Sequence, residues 1–219
     1  MSTCTVPGVS SLPPLEKWDA VERLPVYELI ARYRKGVENF DHRLFQLTAE
    51  ELDCAFMPEA DVGRWPVRVL MGHLADAELA QSHRLRRAVG EDNPVLSLWD
   101  ENAFIDNDVY GLRVQDQSPE ARNHRVTSAV AGAVALIHTV RQWTGQWLMT
   151  LSEAQWDRAA MHPERGALTV RRMVAMTTWH LEHHARYLKC KLDKLVGPDG
   201  RERAEKSGGG CGEGCGCRH

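Results

Sequence analysis

Three histidines in one apolar stretch are the residues of this chain whose types and spacing best suit chemistry. The stretch covers residues 172–191 and contains His180, His183 and His184. At about 100° per residue, a helix places His180 and His184 one turn apart on the same side and His183 on the flank. Two imidazoles at this spacing can bind one metal ion. They can equally be buried, hydrogen-bonded core histidines, and the spacing alone leaves both readings open.

His73 holds a comparable position earlier in the chain. It lies at the edge of the apolar stripe of a predicted helix, with Asp76 and Arg84 on the same side. The stripes of both helices face the core, so the helices can meet at a shared site at one end of the molecule. Three neutral imidazoles with an open fourth position are typical of a catalytic rather than a structural zinc site.

The elements that position these histidines are predicted from apolar residues recurring every three or four positions. The pattern predicts long amphipathic helices over residues 26–47, 66–89, 119–150 and 170–195, with almost no strand-like alternation. This favours an all-α fold, an up-down four-helix bundle. The connection over residues 90–118 is long, acidic and rich in aromatic side chains, so it is expected to pack and to cover a pocket.

The ends of the chain differ in composition from its centre. We expect an irregular leader over residues 1–20, the bundle over 21–196 and a flexible glycine- and cysteine-rich tail over 197–219. The tail carries a possible second metal or thiol site: Cys211, Cys215, Cys217 and His219. Such a soft ligand set suits zinc or Cu(I). Three alternatives stay open: a disordered end, a metal-binding segment, or a thiolate delivered to the open position of the histidine site.

Composition limits the partners of the chain. The net charge is −3 and the pI is about 6.4, which disfavours nucleic acid and anionic membrane surfaces as partners. No apolar run approaches the roughly 20 residues of a membrane span, and the first residues lack the features of a signal peptide. The cysteines are scattered or crowded at the end, which is not a disulfide framework. We therefore expect a cytoplasmic protein.

Several segments together resemble the DinB/YfiT-like superfamily of metal-binding four-helix proteins. They are WPVRVLMGHLADAELAQSHRLRR, the ENAF segment after Leu98, Trp99 and Asp100, and HPERGALTVRRMVAMTTWHLEHHARYLK. The resemblance extends over nearly all of residues 26–195. The family pattern of one histidine on the second helix and an H-x3-H pair on the fourth matches His73, His180 and His184, which implies that they are metal ligands.

The resemblance also implies a chemistry. Members include S-transferases that use low-molecular-weight thiols such as bacillithiol or mycothiol, and a mycothiol-dependent isomerase. A divalent metal would bind the thiol sulfur and lower the pKa of the thiol, so that the thiolate can attack a small electrophile. We expect zinc, with nickel, copper or iron as alternatives. Asp76, Arg84 and His183 are then candidate catalytic residues, and Arg84 or Arg87 could bind a carboxylate of the thiol or substrate. Alternatively, Arg84 and Arg87 are solvated helix arginines, and Asp76 takes part in an exposed salt bridge.

Two functions therefore stay open at this point. One is a metal-dependent transferase, isomerase or hydrolase acting on a small-molecule substrate. The other is a non-catalytic metal-binding or metal-handling protein that uses both the histidines and the cysteine tail. An apolar helix face left over from the bundle would allow a homodimer.

Overall fold

The computed structural model describes residues 15–55 and 65–198. Four helices form the bundle: α2 (Val26–Lys35), α4 (Val67–Gly90), α6 (Pro119–Leu148) and α8 (Val170–Val196). Four short helices precede or connect them: α1 (Trp18–Glu22), α3 (Ala49–Leu52), α5 (Glu101–Asp106) and α7 (Glu153–Trp156). An antiparallel hairpin of β1 (Ala159–His162) and β2 (Gly166–Thr169) comes directly before α8. The predicted all-α four-helix bundle is confirmed, with this small sheet as an addition.

The packing of the bundle brings the two histidine-bearing helices together. Helices α2 and α4 each pack against both α6 and α8, so the two histidine-bearing helices α4 and α8 are in direct contact. Helix α1 packs against α8. None of the helices within the described ranges has the length and apolar character needed to cross a membrane.

Two predicted helix starts are confirmed by their caps. Ser118 accepts a hydrogen bond from the backbone N–H of Ala121 (3.2 Å), and Pro119 occupies the first turn of α6. Thr169 accepts from the N–H of Arg172 (3.1 Å) at the start of α8. The cap of α8 fixes the register of the helix that carries His180 and His184.

The first long helix is shorter than its periodicity predicts. Helix α2 ends at Lys35, and two 3-10 turns, Gly36–Asn39 and His42–Gln46, follow. Gly36 has φ +44°, and a Cβ at this position would lie 2.8 Å from Cδ of Arg141, so the backbone leaves the helix where Arg141 packs. The 3-10 turns keep Leu44 and Leu47 in the core, which is why the apolar period continues past the helix end.

The connection before α8 contains a hairpin that the sequence pattern does not indicate. Strand β1 packs against α4 and β2 against α8. The backbone N–H of Leu96 donates to the carbonyl of Met161 (2.8 Å), and the N–H of Met161 donates to the carbonyl of Pro94 (2.8 Å). The hairpin is thereby tied to the 90–118 connection, and both lie beside the helices that carry the histidines.

The core is divided by a buried polar layer. One apolar cluster surrounds Leu74 and Leu188, and another surrounds Leu85 and Val174. Between them lie the buried side chains Glu78, Arg141, Thr144, Thr177 and Thr178. Burial of a charge is costly unless it is paired, so this layer depends on the ion pair between Glu78 and Arg141.

Candidate metal centre

The three histidines predicted as ligands converge at one point between α4 and α8. One ring nitrogen from each of His73, His180 and His184 lies within 4.8 Å of the others. The Nε2 atoms of His73 and His180 are 3.2 Å apart. The ring centroids of His180 and His184 are 4.6 Å apart, as expected for side chains one turn apart on a helix.

The spacing and the protonation state of these imidazoles fit a divalent metal. Two nitrogens that share a tetrahedral zinc at about 2.0–2.1 Å lie about 3.3 Å from each other, close to the 3.2 Å between His73 and His180. Burial is the main cause of a low pKa in all three, at about 4 for His73, 3 for His180 and 2 for His184. The imidazoles are therefore neutral at neutral pH, with lone pairs available for a metal.

Aromatic side chains enclose the cluster. Trp65, just before α4, lies with its ring centroid 4.9 Å from that of His73 and 6.3 Å from that of His184. Trp99 stacks on His73 at 5.2 Å, and Phe104 packs against Trp99 at 5.5 Å. Because Trp99 and Phe104 belong to the 90–118 connection, this connection covers one side of the histidines. Such walls exclude water and strengthen electrostatic interactions in the site.

Asp76 binds Tyr110 in the structure. The Tyr110 hydroxyl donates a hydrogen bond to Oδ2 of Asp76 (3.0 Å). Burial raises the pKa of Asp76, and the bond from Tyr110 opposes this effect. Gly72 makes room for the tyrosine, since a Cβ there would lie 2.5 Å from Cδ1 of Tyr110. Asp76 thus anchors the covering connection to the helix that carries His73.

His183 lies beside the ligand pair. Its ring stacks on Trp179 with centroids 4.6 Å apart and an interplanar angle of 15°. Tyr187 packs edge-on at 4.9 Å, and the ring of His184 lies at 5.4 Å. Burial, followed by the nearby Arg186, lowers the pKa of His183. It does not belong to the convergent three-nitrogen cluster.

The two candidate arginines have different surroundings. Arg84 donates from Nη2 to the carbonyl of Ser97, and its pKa is lowered by burial and then by the neighbouring Arg165. Arg87 forms a bidentate pair with Glu91 and donates to the carbonyl of Val95 (2.9 Å). Arg87 thus secures the end of α4, whereas Arg84 contacts the connection through Ser97.

Sequence reasoning missed several residues around the site. Trp65, Tyr110 and Arg165 have neighbours in space that periodicity does not reveal, because these neighbours are distant in sequence. The one available signal was the aromatic content of the connection, which includes Trp99, Phe104 and Tyr110. The predicted cysteine tail site of Cys211, Cys215, Cys217 and His219 lies outside the described residues, as do residues 1–14 of the predicted leader.

Two known proteins are similar to this chain over most of its length. A protein from Oceanobacillus iheyensis is 26% identical over 190 residues, covering 84% of this chain and 96% of its own. YfiT from Bacillus subtilis is 25% identical over 184 residues, covering 83% and 85%. Both carry provisional names as metal-dependent hydrolases.

The fold also has a solved counterpart. The YfiT structure from Bacillus subtilis, described as having an unusual four-helix bundle topology, matches with a TM-score of 0.54 and 22% identity, covering 85% of this chain and 94% of that one. The family model of the DinB superfamily matches residues 18–188, which include all three clustered histidines. This chain therefore belongs to the DinB superfamily.

Proposed function

We propose that this chain is a divalent-metal-dependent S-transferase that activates a low-molecular-weight thiol for attack on a small electrophile. The observation that carries the proposal is the convergence of three neutral imidazoles inside an aromatic enclosure. His73, His180 and His184 would hold the ion. A bound divalent metal supplies a Lewis acid that lowers the pKa of a thiol and holds the resulting thiolate.

The surrounding residues would support this chemistry in distinct ways. Trp65 and Trp99 exclude water from the side of His73. His183 would position the ring of His184 through their contact, and Asp76 would hold the covering connection through Tyr110. Arg84 would bind an anionic group of the thiol or the electrophile.

Hydrolysis is the second candidate function, and the names of the relatives favour it. A three-histidine site can activate water as well as a thiol, because both are weak acids whose pKa falls on a divalent metal. The two reactions differ in whether a thiol is required.

We propose zinc as the metal, with nickel, copper and iron as alternatives for metal analysis. The cytoplasmic location and the homodimer stay predictions.

Paired assays test the proposal. Metal-loaded protein would be given 2-mercaptoethanol and 1-chloro-2,4-dinitrobenzene, so that the thiolate forms a carbon–sulfur bond as chloride leaves and the thiol proton passes to buffer. A p-nitrophenyl ester without thiol would test hydrolysis. Conjugation that requires both metal and thiol, and that is lost in His180→Ala, supports the transferase. Ester cleavage without thiol supports the hydrolase, and a metal-loaded protein inactive in both assays argues for the non-catalytic metal-binding role.

A further inference from the structure

Trp99 of the 90–118 connection lies directly against the histidine cluster. Its ring stacks on that of His73 with centroids 5.2 Å apart and an interplanar angle of 25°. The Nε2 atom of His73 belongs to the cluster and lies 3.2 Å from Nε2 of His180. Because Trp99 contacts one of the three clustered imidazoles, a small molecule held between these imidazoles comes within reach of Trp99 as well.

The indole N–H of Trp99 has no acceptor in the described structure. Its Nε1 atom is buried, and no group within residues 15–55 and 65–198 accepts a hydrogen bond from it. The buried Nδ1 atom of His73 is likewise unpaired in this part of the chain. Nearly all buried polar groups in proteins are hydrogen-bonded, because an unpaired buried donor has lost its bonds to water. Two rings in contact at the site thus each contain a buried polar atom that lacks a partner.

The ring of Trp99 is turned inward from a segment that otherwise lies near the surface. Leu98, directly before it, is 54% exposed, and α5 (Glu101–Asp106) contains no buried residue. The hydrogen bond between Tyr110 and Asp76 holds the far end of this segment on α4. The contact between Trp99 and the cluster is therefore a specific feature of this side chain and does not result from burial of the whole segment.

The other tryptophans near the site differ from Trp99 in this respect. Trp179 also has a buried, unpaired Nε1, but its ring stacks on His183, which does not belong to the cluster. Trp65 contacts His73 through its ring, but its Nε1 is not among the buried unpaired atoms of the described residues. Among the tryptophans in the described ranges, Trp99 thus combines contact with a clustered histidine and a buried, unpaired N–H.

The chemistry of this donor indicates the kind of acceptor that suits it. An indole N–H is neutral and can only donate. A carbonyl oxygen of an ester or amide accepts such a bond without requiring that a charge be buried among aromatic rings. In an enclosure with little water, a hydrogen bond of this kind is stronger than at the surface.

We propose that the indole N–H of Trp99 donates a hydrogen bond to a carbonyl oxygen of the molecule bound at the histidines, and that it thereby selects a thiol carrying a carbonyl group. That this molecule is a thiol rests on the proposed function, whereas the donor role rests on the position and the unpaired N–H of Trp99. The same bond holds the connection over the bound molecule, because Trp99 belongs to the connection. Trp99 acts here as a specificity-determining residue.

The indole resonance of Trp99 tests this contact directly. The full chain is labelled with ¹⁵N and loaded with Zn²⁺, and the indole N–H signal of Trp99 is identified by its absence in Trp99→Phe. Methyl 3-mercaptopropionate should move this proton signal downfield and slow its exchange with water, because a hydrogen bond deshields and protects the proton. Pentane-1-thiol, which is similar in length but has no carbonyl group, should not slow the exchange. The indole signal of Trp143, whose side chain is 56% exposed on α6, is the control and should stay unchanged with both thiols.

Affinity gives a second readout of the same bond. In the Co²⁺-loaded chain, the thiolate-to-cobalt charge-transfer band reports the Kd of each thiol. A hydrogen bond between neutral groups should favour the ester by about 2- to 12-fold in Kd. Trp99→Phe keeps an aromatic ring on His73 but removes the donor, so it should abolish this part of the preference, whereas Trp143→Phe should retain it. The same preference in the unchanged chain and in Trp99→Phe overturns the proposal.

A third probe separates this inference from the thiol function. If neither thiol produces the band, the thiol function fails, and acetohydroxamate, a metal-binding carbonyl compound without sulfur, replaces the thiols in the resonance experiment. A downfield, slowly exchanging Trp99 signal with acetohydroxamate then supports the donor role on its own. A Trp99 signal that no probe changes overturns the proposal.

Discussion

Arg141 of α6 forms an ion pair with Glu78 of α4 in the interior of the bundle, where their side chains are 1% and 2% exposed. The Nε atom of Arg141 donates to Oε1 of Glu78 at 2.8 Å. Arg141 also donates to the backbone carbonyls of Tyr33 on α2 and Thr177 on α8, each at 2.9 Å. One guanidinium therefore links all four bundle helices. Its partner Thr177 lies one turn before His180 on α8.

Removal of this guanidinium is expected to destabilise the protein strongly. Arg141→Leu leaves the buried Glu78 without its partner and should lower the free energy of unfolding by about 3–5 kcal/mol. The double variant Arg141→Leu/Glu78→Leu should recover much of this loss, because no unpaired charge remains. Urea denaturation measures both, with Lys189→Gln on the surface as a control expected to change stability by less than about 0.5 kcal/mol. An Arg141→Leu protein as stable as the unchanged chain would contradict this account.

A methyl group at Gly72 is expected to detach the covering connection. Gly72→Ala places a Cβ 2.5 Å from Cδ1 of Tyr110, so the tyrosine must move away from Asp76. Hydrogen exchange of the backbone amides of residues 99–111 should accelerate as a result. Gly132→Ala is the matched control, because a Cβ there meets nothing within 4 Å, and it should stabilise α6 by about 0.5–1 kcal/mol. Unchanged exchange in Gly72→Ala would mean that Tyr110 does not hold the connection.

The sequence predicted those features that depend on local periodicity. The bundle, the starts of α6 and α8 and the convergence of His73 with His180 and His184 follow from apolar spacing and a family pattern. Periodicity reports which side of a helix is buried, but it does not report which distant residue packs there. The pairs Asp76–Tyr110 and Glu78–Arg141, separated by 34 and 63 residues, were therefore not predicted.

The early end of α2 and the hairpin escaped prediction for related reasons. The 3-10 turns that begin at Gly36 keep the apolar residues inward. The apolar spacing typical of an α-helix therefore continues in the sequence although the α-helix has ended. The strands are four residues each, too short for alternation to be distinguished from a loop. Their position, and with it that of Arg165, is set by contacts with α4 and α8.

Acid is expected to destabilise the metal-free protein through the histidine cluster. The pKa values of His73, His180 and His184 are about 4, 3 and 2 in the folded chain, against about 6.5 when unfolded. Between pH 6.5 and 4 the unfolded chain therefore binds protons that the folded chain does not, and stability falls as pH falls. The stability that the neutral, buried imidazoles contribute is fully present above pH 6.5.

Chemical denaturation of chelator-treated protein across this range measures the effect. Each imidazole is expected to lower the free energy of unfolding by up to about 1.4 kcal/mol for each unit by which the pH falls. The triple variant His73→Gln/His180→Gln/His184→Gln should show a shallower dependence, since it retains the carboxylates but lacks these three groups. The same slope in both proteins would show that the cluster is not held neutral by burial.

Metal content is expected to follow the histidine cluster rather than the tail. Protein purified without added metal or chelator should contain about one divalent ion per chain in the bundle, because three neutral imidazoles form one convergent cluster in the described residues. Elemental analysis should find this ion lost in His180→Ala/His184→Ala and retained after truncation following Lys206. His124→Ala/His138→Ala, which removes two exposed imidazoles of α6, should keep it. Metal that disappears with the truncated residues instead would favour metal handling by the tail, and the clustered histidines would then have to be explained as structural core residues.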